Sequence, residues 1–257
     1  MIATEIQNGQ PATTVYPLTL VIPCFNESAG LDQLEDRLES LLSVPARHPI
    51  REVIFVDDGS QDETLAGLER RFRDKSWARI VHHEENRGIA GAIKTGIQHA
   101  QCDWVATMDA DCTYDPSQLE MLAERLSDDV SVVTASPYHP AGKVIGVPAW
   151  RLWLSRLAST VYRFLFHNHL YTYTSCFRIY RKSSLSSLPI TQDGFVGIAE
   201  ILWQIDRRGG RIIEVPATLS TRRVGYSKMR TLPVILQHMR FMTQAFFRNL
   251  YPARSDK

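Results

Sequence analysis

The chain lacks any unbroken apolar run of about 18 residues, the length a helix needs to cross a bilayer, so a self-inserting membrane protein is not expected. Residues 1–16 lack the apolar centre of a signal peptide and read as a polar, mobile tail, which predicts a cytoplasmic protein. Cysteine is sparse. Cys24, Cys102, Cys112 and Cys176 show no C-x-x-C spacing, which argues against a zinc site or a disulfide framework and favours a reducing compartment. Cys24 and Cys112 read as small buried thiols. Acidic residues are scarce in one half only: residues 139–257 hold 18 Lys and Arg against 5 Asp and Glu, whereas residues 1–138 hold 11 against 23. The net charge of +1 hides that asymmetry. An acidic half suits metal and polar-ligand chemistry, and a basic half rich in Trp, Phe, Tyr and Leu suits an anionic partner: nucleic acid, phospholipid headgroups or a phosphate-bearing substrate.

What is present is organised around Trp104-Val105-Ala106-Thr107-Met108-Asp109-Ala110-Asp111. It reads as a buried strand ending in two carboxylates at i and i+2, which extended backbone points the same way. Two like charges aimed at one spot are costly unless a cation lies between them or one stays protonated. Carboxylate oxygens suit Mg²⁺ or Mn²⁺, and Mg²⁺ is typically completed by substrate phosphates.

Around this stretch, strands alternate with helices. Strands are expected at 18–22, 52–56, 79–82 and 130–134, and helices at about 31–42, 62–72, 88–100 and 117–127. Gly88, Ala92, Gly96 and Ala100 form a ridge of small residues that lets one helix approach the sheet closely. The alternation predicts an α/β fold with a mostly parallel sheet, whose ligands sit at the carboxyl ends of strands. Three acidic strand ends then converge: Glu27, Asp57 with Asp58, and Asp109 with Asp111.

The basic half is less regular. Residues 137–148 read as a Gly/Pro-interrupted loop, and 150–166 as an apolar helix with Arg151, Ser155, Ser159 and Arg163 along one ridge. That pattern fits either a buried helix with a solvated edge or a helix at a membrane surface. A strand-like segment at 174–180, a helix at 195–207 containing Glu200, a strand at 211–215 and a cationic loop at 222–228 follow. A second apolar-rich helix spans 232–250. His167 and His169 read as an exposed loop pair, with no third ligand near in sequence.

Six motifs in this order carry a resemblance: Val21-Ile22-Pro23-Cys24-Phe25-Asn26-Glu27, Val56-Asp57-Asp58-Gly59-Ser60, Asn86-Arg87-Gly88, Asp109-Ala110-Asp111, Ser175-Cys176-Phe177-Arg178 and Arg222-Arg223-Val224-Gly225-Tyr226-Ser227-Lys228. Together the chain resembles family 2 glycosyltransferases of the GT-A fold, and within them the polyprenyl- or dolichyl-phosphate mannose synthases. The resemblance implies a tail at 1–16, one GT-A domain over 17–230 with an amphipathic helix at 150–166, and an amphipathic helix and tail over 231–257. It implies that Pro23, Phe25, Glu27, Val56, Asp58, Asp109, Ala110 and Asp111 line the nucleotide-sugar and that Asp109 and Asp111 hold Mg²⁺ or Mn²⁺. Arg151, Ser155, Arg222 and Lys228 would surround the acceptor phosphate, making Asp111, Arg151, Arg222 and Lys228 the catalytic set.

The implied partners are a nucleotide-diphosphate sugar, a polyprenyl phosphate and an anionic membrane surface on the inner face, without nucleic acid. Three positions depart from the family pattern. Cys112-Thr113 stand where Leu-Gln is usual, Ser136-Pro137-Tyr138 where Ser-Arg-Tyr is common, and Cys176 where the family has Gly. Inverting transfer to the lipid phosphate is the leading expectation. Transfer to a sugar hydroxyl, with Glu200 or Asp193 as base, and a non-catalytic membrane-surface binder are the alternatives.

Overall fold

A computed structural model describes residues 15–43, 49–185, 188–221 and 231–250. The N-terminal half alternates as expected: β1 (Leu18–Cys24), α1 (Leu31–Leu42), β2 (Ile50–Asp57), α2 (Thr64–Phe72), β3 (Ala78–His82), α3 (Gly88–His99), β4 (Trp104–Thr107), α4 (Gln118–Ala123) and β5 (Val130–Ser136). There follow β6 (Lys143–Ile145), α5 (Ala149–Arg163), β7 (Arg178–Arg181), α6 (Lys182–Leu185), α7 (Gly194–Arg207), β8 (Arg211–Pro216), β9 (Thr218–Ser220) and α8 (Thr231–Leu250).

Seven strands form one sheet in the order β3-β2-β1-β4-β7-β5-β8, and β6 pairs with β9 in a separate two-stranded ribbon. All pairs in the large sheet are parallel except those of β7, which runs antiparallel to both β4 and β5. Helices cover both faces, which is why β1 reads as a continuous apolar run rather than an alternation. One face packs α1, α2 and α4 side chains such as Leu34, Leu68 and Leu119 against Leu20, Phe55 and Ala106. The other packs α3, α7 and α8 side chains such as Ile93, Leu202 and Phe241 with Val21, Ile54 and Val105. Gly96 permits the α3 contact: a Cβ there would lie 2.2 Å from Val21 Cγ1.

Several expectations are corrected. β4 ends at Thr107, so the two carboxylates are not strand residues; they lie in the turn after it, where Cys112 takes a φ of +51°. The segment at 174–180 becomes a strand only from Arg178, the loop at 137–148 contains β6, and the helix at 117–127 shortens to Gln118–Ala123. Residues 1–14 of the tail expected at 1–16, and the cationic loop at 222–228, lie outside the described residues; Tyr16, expected in that tail, instead packs edge-on against Trp104 of β4.

Candidate active site

The chain leaves β1 towards β2 and β3 on one side, then returns to lay β4 on the other side of β1. This reversal opens a crevice beyond the carboxyl ends of β1 and β4, the place where open α/β sheets bind ligands. A cavity of about 500 Å³ lies there. Its walls come from the end of β1 (Pro23, Cys24, Phe25, Glu27), the end of β2 (Asp58), the start of α3 (Asn86, Gly88, Ile89) and the turn after β4 (Asp109, Ala110, Asp111, Thr113). The remaining wall is Val147 and Pro148 before α5, Gly194 and Phe195 of α7, and Leu219, Ser220 and Thr221.

The three acidic strand ends therefore do converge, with one exception: Asp57 is not among the residues lining the cavity. It is fully buried; its Oδ2 accepts from His82 Nδ1 at 2.8 Å and from the Ser60 amide at 3.4 Å. Val56, implied to line the nucleotide, is also fully buried and packs in the core, which leaves its side chain no surface for a ligand. Gly88 adopts a φ of +72°, and a Cβ there would lie 2.6 Å from the Gly194 amide nitrogen, so only glycine lets the α3 and α7 starts meet in this wall.

At the floor, burial raises the Asp109 carboxyl to about 7, and the charge of Asp111 pushes it the same way. Burial also raises Asp111, against the pull of hydrogen bonds from Thr113, whose amide donates to Asp111 Oδ1 at 3.1 Å. These two hard oxygen donors fit a divalent cation, which would relieve both their desolvation and their repulsion. Among the described residues no third His, Cys, Asp or Glu joins them in a group able to hold a metal. Ligand oxygens would have to complete the shell, and the cavity gives room for them.

Cys24 and Cys176 lie near this floor as buried thiols, and Cys112, expected to be buried, is only partly so. Burial pushes Cys112 up to about 12 and raises the other two, so none is a ready nucleophile. Arg178 is fully buried beneath and satisfied by neutral acceptors: Nε donates to Thr134 Oγ1, one terminal nitrogen to Tyr180 Oη and the Ile198 carbonyl, and the other to the Tyr173 carbonyl. It ties β7, β5 and α7 together.

The residues expected at the acceptor are less gathered. Arg222 and Lys228 lie outside the described residues, as does the side chain of Arg151, whose backbone sits in the first turn of α5. Ser155, one turn on, is partly buried and is not among the residues lining the cavity. Glu200 is also excluded as a ready base. It is 1% exposed and accepts hydrogen bonds from the Thr191 amide, the Thr191 hydroxyl and the Gln192 amide, fastening residues 191–192 to α7. Asp193 occupies the N-cap of α7 beside cavity-lining Gly194.

A family profile described as glycosyl transferase family 2 matches residues 19–188. The chain belongs to that family. It is a glycosyltransferase, and its sheet, crevice and carboxylate pair are the GT-A architecture that the motifs implied. The chain is 28% identical over 236 residues to the polyprenol monophosphomannose synthase of Mycolicibacterium smegmatis, covering 86% of this chain and 85% of that protein. It is 29% identical over 215 residues to the undecaprenyl-phosphate mannosyltransferase of Micrococcus luteus, covering 81% and 86%. Its fold matches a mannosyltransferase from Pyrobaculum calidifontis, in complex with GDP-Man and Mn²⁺, with a TM-score of 0.64 at 20% identity over 94% of this chain and 66% of that one.

Sequence reasoning missed His83, Phe195 and the wall at 219–221. Phe195 and Leu219 carry no local signature, because only the packing of α7 and β9 brings them to the crevice.

Proposed function

We propose that this glycosyltransferase moves a sugar, with inversion, from a nucleotide-diphosphate donor to the phosphate of a polyprenyl phosphate at a membrane surface. One observation carries the reading: the cavity that holds Asp109 and Asp111 extends to Val147 and Pro148, the residues leading into α5. On α5 and its C-cap, Trp150, Trp153, Leu157, Val161 and Phe164 are exposed at 53%, 65%, 48%, 40% and 84%, which is an apolar stripe at helical spacing turned to the outside. On α8, Leu236, Met239, Phe246, Phe247 and Leu250 are exposed likewise. Neither helix carries an acidic residue, and both carry arginines. Such surfaces suit the interface of an anionic membrane. No helix among the described residues is long and apolar enough to cross one. The names of the two relatives, both of which join mannose to a polyprenyl phosphate, support the same acceptor.

In this reading the residues leading into α5, together with Arg151, Arg222 and Lys228, align the incoming phosphate. Phe25, Glu27 and Asp58 hold the nucleoside end of the donor. Asp109 and Asp111 would hold Mg²⁺ or Mn²⁺, which when bound neutralises the departing diphosphate. A phosphate monoester has its second pKa near 6 and is mostly ionised at neutral pH, so no protein base is required. The hydrogen-bonded state of Glu200 agrees with that. A hydroxyl acceptor would require a base, and Asp193, next to cavity-lining Gly194, is the remaining candidate. The test is the pH–rate profile with Arg151→Ala alongside. A lipid-phosphate acceptor gives an ascending limb that follows the substrate's own ionisation and, in the variant, a raised acceptor KM with slower transfer. An ascending limb that Asp193→Asn abolishes, with Arg151→Ala normal, would overturn the reading.

A further inference from the structure

The Asp58 carboxylate is 3% exposed, lines the cavity, and its two oxygens are treated differently by the fold. Oδ1 accepts from the Arg87 amide at 2.9 Å and from His83 Nδ1 at 2.7 Å, which occupies both of its lone-pair sites. Oδ2 accepts no hydrogen bond from any described residue. His83 is itself 4% exposed and held from behind by α3, with Nε2 at 2.9 Å from Thr95 Oγ1. A carboxylate only accepts, so Nδ1 carries the hydrogen, and in the neutral ring Nε2 accepts from the Thr95 hydroxyl. The Asn86 side chain is held in place by the backbone: its Nδ2 donates to the Asp58 carbonyl at 3.1 Å and its Oδ1 accepts from the Gly88 amide at 3.1 Å.

We propose that His83 is a positioning residue that determines base specificity: by holding Asp58 Oδ1, it leaves Oδ2 alone to read the donor base, which disfavours guanine relative to uracil. The inference rests on the reading of this cavity as a nucleotide-sugar site. Uracil offers one N–H, flanked by carbonyls, and a single acceptor satisfies it. Guanine offers an N–H and an adjacent amino group that pair best with both oxygens of a carboxylate, and here one oxygen is already taken. Adenine and cytosine present a ring nitrogen acceptor beside their amino group, which a carboxylate repels.

The experiment is calorimetric titration of the full chain with UDP and with GDP, each in the presence of Mn²⁺. His83→Leu removes the donor to Oδ1 and frees that oxygen, so UDP binding weakens and the UDP-to-GDP affinity ratio moves towards GDP by about fivefold, the scale of one hydrogen bond. His83→Asn places an amide N–H where Nδ1 stands and is expected to keep the wild-type ratio. Thr95→Val, which leaves the ring present but untethered, should move the ratio in the same direction by less. A merely structural histidine would lower affinity for both nucleotides without changing their ratio. An unchanged ratio in both His83→Leu and Thr95→Val, with nucleotide still bound, overturns this inference and leaves the donor-site reading standing. Failure of the wild-type chain to bind either nucleotide overturns both.

Discussion

The cavity floor and the two outer helices solve opposite physical problems. At the floor, carboxylates are taken out of water and fixed: Asp58 by His83 and the Arg87 amide, Asp111 by Thr113. On α5 and α8 it is the apolar side chains that are left in water, Phe164 at 84% exposure among them. Burying charge is costly and stays in a fold only where hydrogen bonds, an opposite charge, a ligand or a cation offset it, whereas an exposed apolar stripe stays in contact with water until another apolar surface covers it. The first arrangement gives chemical selectivity. In the proposed reading the second gives location at a membrane surface, and the cavity wall at Val147 and Pro148 leads from one to the other.

Breaking the floor should have the largest effect. Asp111→Asn is expected to keep the fold and slow transfer by at least about 30-fold, a loss on the order of 2 kcal/mol or more, the scale of removing one strong electrostatic contact. Steady-state rates with circular dichroism as the folding check will decide it, and normal turnover would refute the metal role. Breaking the helices should act on location alone. Trp153→Ser and Phe164→Ser should each lower partitioning to anionic vesicles about tenfold, since fully burying such a side chain is worth about 1.5–3 kcal/mol. Transfer to a short, water-soluble acceptor should be unchanged.

A smaller effect concerns pH. The metal-free folded chain holds the Asp109 proton more tightly than the unfolded chain does, so its stabilising contribution is present below an ordinary carboxylate value of 3.8 and is lost as pH rises through about 7. Thermal unfolding in chelator should therefore show a loss of stability between about pH 4 and pH 7, levelling off above, that Asp109→Asn lacks and that Mn²⁺ reverses. The smallest effect is expected at α8. Burial lowers the pKa of His238, which bonds Tyr162 Oη at 2.6 Å through Nδ1. The folded state thus favours the neutral ring, and this contribution is present above about 6.5 and lost as pH falls through the lower folded value. Hydrogen-exchange protection factors in α8, corrected for the intrinsic pH dependence of exchange, should fall at pH 5, and His238→Gln should blunt that change.

The floor was legible in sequence because strand, turn and helix recur at short range: an apolar run, then acid, then a helical period. Convergence of Glu27, Asp58 and Asp109 follows from parallel topology alone. The residues that escaped depend on long-range pairing. No local pattern marks β7 as the antiparallel strand between β4 and β5, nor Glu200 as an anchor for residues 191–192. The Asp109–Asp111 pair was found through a geometry the chain does not use, since a turn with left-handed Cys112, not strand alternation, sets it. On the outer helices the spacing left a buried and a surface helix both open, and exposure of the Trp153 and Phe164 side chains separates them.

The acceptor is the centre of the account, and one comparison tests it most directly. The chain is incubated with a panel of nucleotide sugars, Mn²⁺, and either a polyprenyl phosphate or the matching polyprenol, and the lipid products are separated and identified. Sugar joined to the phosphate lipid alone, in a reaction that Asp193→Asn leaves intact, is the expected result. Transfer to the polyprenol hydroxyl, abolished by Asp193→Asn, would contradict it.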